Sequence, residues 1–179
     1  LRFTPMQAFV DDVVSTARSF GEPPVLIGHS MGGFVVQKCL ETLPAPAAVL
    51  VASTPPQGAL KATLRTVRRV PGGFLRACFT ASLLPLVAAP RRARALLFAA
   101  DMPDEAVQAY AARLQDDSLR AYFDELFLNL PKRMRAPVPL LVVGAENDAV
   151  ISPADVLATA RRYGVEPQLL PGLPHDVML

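Results

Sequence analysis

The residues Gly28-His29-Ser30-Met31-Gly32-Gly33 constrain this chain more than any other stretch. They follow Pro23-Pro24-Val25-Leu26-Ile27 and precede Phe34-Val35-Val36-Gln37-Lys38-Cys39. The short apolar run from Val25 to Gly28, bounded by prolines and a turn, predicts a buried parallel strand. Met31 to Leu43 predicts a helix apolar on most sides, with Lys38 and Glu41 as its wet edge. A serine at such a sharp strand-to-helix turn stands clear of the backbone. The next amide then lies at a helix N-terminus, where developing negative charge is stabilised. The turn is crowded, so its neighbours are expected to be small. That accounts for Gly28 and Gly32, and Gly33 leaves room for close helix–strand packing. A glycine-rich turn with an idle serine is the bland alternative. The strand before the motif and the helix after it argue for a reactive one.

The rest of the chain alternates in the same way. Thr4 reads as an N-cap with Pro5 at the first helical position. The helix it opens has Met6, Phe9, Val10, Val13, Val14 and Ala17 at helical spacing and ends near Phe20-Gly21. Ala47 to Ala52 and Leu140 to Val143 predict further strands. Ser152 and Asp155 form a capping box around Pro153, and that helix stops at Gly164. Val165 to Leu170 is a last strand, and Pro167 inside it marks an edge. Residues 54–136 read as short helices broken at Pro71, Pro85, Pro90, Pro103 and Pro131. Alternation of strand and helix predicts a parallel sheet covered by helices. There is no internal repeat.

Composition narrows the class. With 179 residues, 51% of them hydrophobic, the chain can bury one real core. The net charge of +2 predicts neither nucleic acid nor membrane as a partner. Between Glu41 and Asp101 the chain has no acid, yet it carries Lys61, Arg65, Arg68, Arg69, Arg76, Arg91, Arg92 and Arg94. Solvated helix faces are the favoured reading, and a surface that meets anionic lipid or an acidic substrate is the sharper one. Cys39 and Cys78 fit no metal motif and no disulfide framework, which makes a cytoplasmic location the default. Leu1 is not a start methionine, so a piece of a longer protein is expected.

A reactive serine needs a base. The chain has two histidines. His29 is adjacent to Ser30, and neighbouring side chains diverge at such a turn. That leaves His175, in the loop after the last strand, where sites form in parallel sheets. The third group, which orients the imidazole, is read as Asp148 in the loop after strand Leu140 to Val143. Glu146 is the rival. Asp155 is better explained as a cap, and Asp176 is expected to point elsewhere.

The segments VLIGHSMGG, LLVVGAENDAVISP and LLPGLPHDVML, in the order Ser30, Asp148, His175, resemble the α/β-hydrolase superfamily, and its small esterase, lipase and lysophospholipase-like members in particular. The resemblance implies a partial α/β-hydrolase fold. Its core would span 1–53 and 137–179, with a helical cap or lid inserted at 54–136. It implies an oxyanion donor at the Met31 amide. It also implies that strand Val25 to Gly28 is central, with four earlier strands and a second oxyanion donor that this chain lacks. Weak activity and an exposed apolar strand edge are therefore expected of the isolated chain.

The expected activity is hydrolysis of a carboxylic ester or similar acyl group through an acyl-enzyme, which requires no cofactor and no metal. Phe74, Phe79, Leu83, Leu84, Leu97 and Phe98 are candidates for an apolar pocket, although helix packing explains each one alone. Thioester, lactone or carbon–carbon cleavage and cyanohydrin lysis remain open on the same fold, as does a ligand-binding receptor.

Overall fold

The computed structural model describes residues 2–132 and 137–179. The last four residues of the predicted insertion, 133–136, lie outside the described residues. Among the described residues four strands form one parallel sheet laid down in chain order: β1 (Leu26–His29), β2 (Ala48–Val51), β3 (Leu140–Ala145) and β4 (Pro167–Leu170). In register, Leu26 faces Ala48 and Ala48 faces Leu140, while Val142 faces Pro167. β4 begins at its proline, two residues later than expected, and it is an edge strand. The missing proline N–H then falls at the strand start.

Eight α-helices among the described residues accompany the sheet: α1 (Met6–Ser19), α2 (Met31–Cys39), α3 (Leu60–Arg69), α4 (Pro71–Thr80), α5 (Pro90–Leu96), α6 (Asp104–Ala111), α7 (Leu119–Phe123) and α8 (Pro153–Tyr163). α2 packs on β1 and β2, α8 on β3 and β4, and α1 on α2. The expected helical cover leaves part of the sheet open. Leu26, Ala48, Leu50 and Val142 are buried, but Ile27 on the opposite face is 70% exposed. Strands laid down in spatial order with right-handed crossovers place every connecting helix on the same face, which explains the one-sided cover. β1 is the second edge strand, with Val25 and Ile27 exposed along it, as the expected apolar edge requires.

Residues between β2 and β3 form α3 to α7, a short 3-10 turn at Leu84–Leu86 and a π-helical turn at Asp124–Leu128. The prolines act mainly as starts, not breaks. Pro71 and Pro90 stand at the first positions of α4 and α5, and Pro103 immediately precedes α6. This segment has a small core of its own, formed by Ala93, Phe98, Val107 and Ala111. No described helix is long and apolar enough to cross a membrane.

Several polar residues are more deeply engaged than their sequence context suggests. Lys38, expected on a wet edge, is 6% exposed. Its stem is buried, and its ammonium donates to Asn129 Oδ1 at 2.9 Å. Arg65 pairs with Asp155 and donates to the Val150 carbonyl, tying α3 to the start of α8. Arg94 donates to the carbonyls of Ala100 and Met102 and pairs with Asp104. These arginines are internal ties, not solvated charges. The capping box at α8 is present, with the Ser152 amide and hydroxyl both donating to Asp155.

The start of α1 differs from expectation. Pro5 takes the N-cap position, and no side chain there caps the helix. The Met6 amide instead donates to Asp124 Oδ2 at 2.9 Å, across 118 residues. The same carboxylate accepts from Arg120 Nε at 3.2 Å. A distant carboxylate thus does what Thr4 was expected to do, and Thr4 contributes only its carbonyl, which accepts from the Ser118 hydroxyl. Next to Asp124, Glu125 is 6% exposed. Burial pushes its carboxyl up to about 8, a Thr54 hydrogen bond pulls the other way, and the charge of Asp117 adds to the rise.

Two outcomes follow from the π-helical turn. Asp124→Ala strands a buried amide and should destabilise the chain by about 2–3 kcal/mol, whereas Thr4→Ala should cost under about 0.5 kcal/mol, as read by urea denaturation. Glu125 holds its proton to higher pH folded than unfolded. Stability linked to it is therefore greatest below its unfolded value of 4.5 and falls as pH rises toward 8. The melting temperature of Glu125→Gln should gain on that of the natural chain between about pH 5 and pH 9. Parallel melting profiles would contradict this assignment.

Candidate active site

Every loop that follows a strand in a parallel sheet emerges at the same end, so Ser30, Thr54, Asp148 and His175 gather there although far apart in sequence. Ser30 links β1 to α2 with φ 53 and ψ −122, a left-handed conformation that costs a non-glycine residue on the order of 1–3 kcal/mol. The surroundings hold it. Its amide donates to Val51 O at 3.0 Å, and its carbonyl accepts from the amides of Gly33, Phe34 and Thr54. A Cβ at Gly28 would lie 2.4 Å from the Gly32 carbonyl oxygen, and one at Gly33 would lie 2.4 Å from Ser53 Oγ. Those two glycines are therefore demanded by close approach. Gly32 is not: a Cβ there meets nothing within 4 Å, because the position looks toward the open side of β1. Met31 opens α2, so its amide has no carbonyl partner within the helix.

His175 is 3% exposed. Its Nε2 lies 3.0 Å from Ser30 Oγ, and its Nδ1 lies 2.8 Å from Asp148 Oδ2. The other Asp148 oxygen accepts from the amides of Val150 and Ile151 at 2.7 and 2.8 Å, which fixes the carboxylate in place. The Asp148 and His175 loops are joined by their backbones, with the Asn147 amide donating to Leu173 O at 3.0 Å. Glu146, the rival acid, is exposed, and Gly172 N donates to it at 3.3 Å. Asp155 serves the α8 cap.

His29 carries a contact that the sequence reading missed. Its Nε2 donates to the His175 carbonyl at 3.0 Å, and the two rings lie 4.8 Å apart. Burial, then the neighbouring His175, lowers its pKa, while the hydrogen bond to the His175 carbonyl pulls the other way. Asp176 lies 4.0 Å from the same nitrogen, and burial raises its pKa. The divergence of neighbouring side chains at the turn sends His29 under the His175 loop. The available signal was that divergence itself, which left the ring's destination open. His29, His175 and Asp176 have ligand atoms within 4.8 Å of one another. Both ring nitrogens of His175 are already engaged with Ser30 and Asp148, so the trio is a poor metal site.

Ser30 and His175 open into a cavity of about 270 Å³. Two of the pocket candidates, Leu83 and Leu97, line it, together with Leu86, Val87, Leu96 and Val150. The other pocket candidates lie elsewhere. Phe79 is 83% exposed and Phe98 is buried in the small separate core. Phe74 and Leu84 are half-buried outside the cavity wall. Phe74 and Phe79 lie on α4 and Leu84 on a 3-10 turn, elements too short for apolar spacing in the sequence to fix which face turns inward. A wider hollow of about 590 Å³ runs along α1 and β1, but neither Ser30 nor His175 lines it.

No curated protein matches the sequence significantly. The fold is similar to that of BpoC from Mycobacterium tuberculosis H37Rv, described as a non-heme bromoperoxidase, at 21% identity and a TM-score of 0.70; the match covers 99% of this chain and 69% of that one. It is also similar to a monoacylglycerol lipase from Paleococcus ferrophilus, at 20% identity and a TM-score of 0.64, covering 98% of this chain and 69% of that one. A thermophilic esterase from Thermogutta terrifontis is similar at 18% identity and a TM-score of 0.63, covering 97% and 66%. The family model described as the alpha/beta hydrolase family matches residues 2–179, and the chain belongs to that family.

Proposed function

We propose that this chain carries the site of a serine hydrolase that cleaves a carboxylic ester or similar acyl substrate. One observation carries the reading: the His175 ring bridges Ser30 Oγ at 3.0 Å and Asp148 Oδ2 at 2.8 Å, with the serine held at a strained turn. His175 Nε2 takes the Ser30 proton as Oγ attacks the acyl carbonyl. Asp148 keeps Nδ1 protonated and stabilises the imidazolium that forms. The Met31 amide donates to the oxyanion. The tetrahedral species collapses, the leaving alcohol takes the proton from His175, and the acyl group stays on Ser30. Water then enters and gives a proton to His175 as its oxygen attacks the acyl carbonyl; the Ser30 Oγ–acyl bond breaks, Oγ takes the proton back from His175, and the carboxylic acid leaves.

On this reading the segment between β2 and β3 is a cap over the site. Leu83, Leu86, Val87, Leu96 and Leu97 supply the wall for an apolar part of the substrate. The same fold can serve other acyl chemistry, but the imidazole within reach of a lone serine hydroxyl favours covalent acyl transfer.

Fluorophosphonate labelling read by peptide mass spectrometry tests this. Ser30 should carry the label. His175→Ala should abolish it, and Asp148→Asn should slow it by about 10²–10⁴-fold. Glu146→Gln should leave the rate within about twofold, because Glu146 makes no contact with His175. Labelling of Ser30 that survives His175→Ala, or no labelling at all, would favour a receptor built on the hydrolase fold.

A further inference from the structure

The wall of the catalytic cavity is not uniformly apolar. Glu125 and Asp117 both line it, and among its lining residues there is no lysine or arginine. Glu125 is 6% exposed, and its Oε2 has no hydrogen-bond partner among the described residues. A buried acceptor of this kind normally finds a donor. The backbone around it is built for the position. Ala59 N donates to the Glu125 carbonyl at 3.0 Å, and Gly58, at φ 95, lets the chain approach closely enough that a Cβ would lie 2.3 Å from Leu126 O. The residue lies in a π-helical turn, a feature that often marks functional positions. Nearby, the Thr63 and Tyr122 hydroxyls bond each other at 2.6 Å and also line the cavity.

We propose that Glu125, assisted by Asp117, is a specificity-determining residue that receives a primary ammonium group of the substrate. The proposal rests on the cavity being the substrate site. The argument is one of complementarity. The wall has two carboxyl groups and an unused acceptor but no basic side chain other than His175, whose ring is committed to Ser30 and Asp148. A cationic donor answers the unpaired oxygen, and its approach favours the ionised form of a carboxyl that burial otherwise keeps protonated up to about 8. The apolar residues that share the cavity wall with Glu125 suit a short hydrocarbon spacer. The substrate class is an ester of an amine-bearing acid or alcohol.

Calorimetry on the Ser30→Ala chain at about pH 9, where Glu125 is ionised and an alkylammonium still carries its proton, reads the cavity without any chemistry, using hexylammonium and hexanol as probes. Hexylammonium should bind about tenfold or more tightly than hexanol, and Glu125→Gln in that background should erase the preference. Asp117→Asn, at a half-buried position, should reduce the preference severalfold. It also keeps the test decisive if the Glu125 variant does not fold. Equal affinity for the two probes would overturn the proposal, leaving Glu125 to ordinary hydration. So would a preference that survives the Glu125 substitution, or the Asp117 substitution alone if the Glu125 variant does not fold. A neutral-donor site would show instead as hexanol binding the more tightly, which also overturns it. Loss of fluorophosphonate labelling in the natural chain, by contrast, would strike the serine-hydrolase reading and not this binding result.

Discussion

The carbonyl oxygen of Ser30 accepts amides from Gly33 and Phe34 in α2 and from Thr54 in the loop after β2. That single atom joins a strand, a helix and the neighbouring loop, and it holds Ser30 in a conformation that its side chain disfavours. Everything else at the site depends on this turn. It fixes where the hydroxyl stands, where the Met31 amide points and how closely α2 approaches β2. The glycines at 28 and 33 exist because backbone and Ser53 come too close for any side chain there.

A second constraint is topological. Strands ordered β1-β2-β3-β4 in space and all parallel bring their following loops to one end and their connecting helices to one face. The first consequence assembles Ser30, Asp148 and His175 from residues 145 positions apart or fewer. The second leaves Ile27 and its neighbours uncovered on the far side. The segment between β2 and β3 lends residues to the wall of the cavity onto which Ser30 and His175 open. Through Asp124 it caps α1, and through Glu125 it enters the cavity wall. The stability of the first helix and the chemistry of the pocket thus meet in one π-helical turn.

Much of this was legible in the chain itself. The serine at the turn, the order of the three loops, the capping box at Ser152 and the edge character of Pro167 follow from local rules of backbone and side chain. Asp148 could be separated from Glu146 only by which side a two-residue offset places each carboxyl, and the geometry brings Asp148 to His175 while Glu146 faces the Gly172 amide. What stayed hidden involves partners remote in sequence. Asp124 replaces Thr4 as the cap of α1, Asn129 draws Lys38 inward, and Arg65 reaches Asp155. No window of sequence contains both members of those pairs. The pocket aromatics were misplaced for a related reason: in helices this short, the inward face is set by packing against other elements and not by the periodicity of the helix itself.

The central claim is that Ser30 becomes covalently acylated. It is tested most directly by mixing the chain with p-nitrophenyl butyrate, quenching with acid and locating the butyryl group by peptide mass spectrometry. The account predicts a butyryl adduct on Ser30 that forms before steady-state release of butyrate and is absent from Ser30→Ala. Release of nitrophenol with no adduct on Ser30, or with the adduct on another residue, would contradict it.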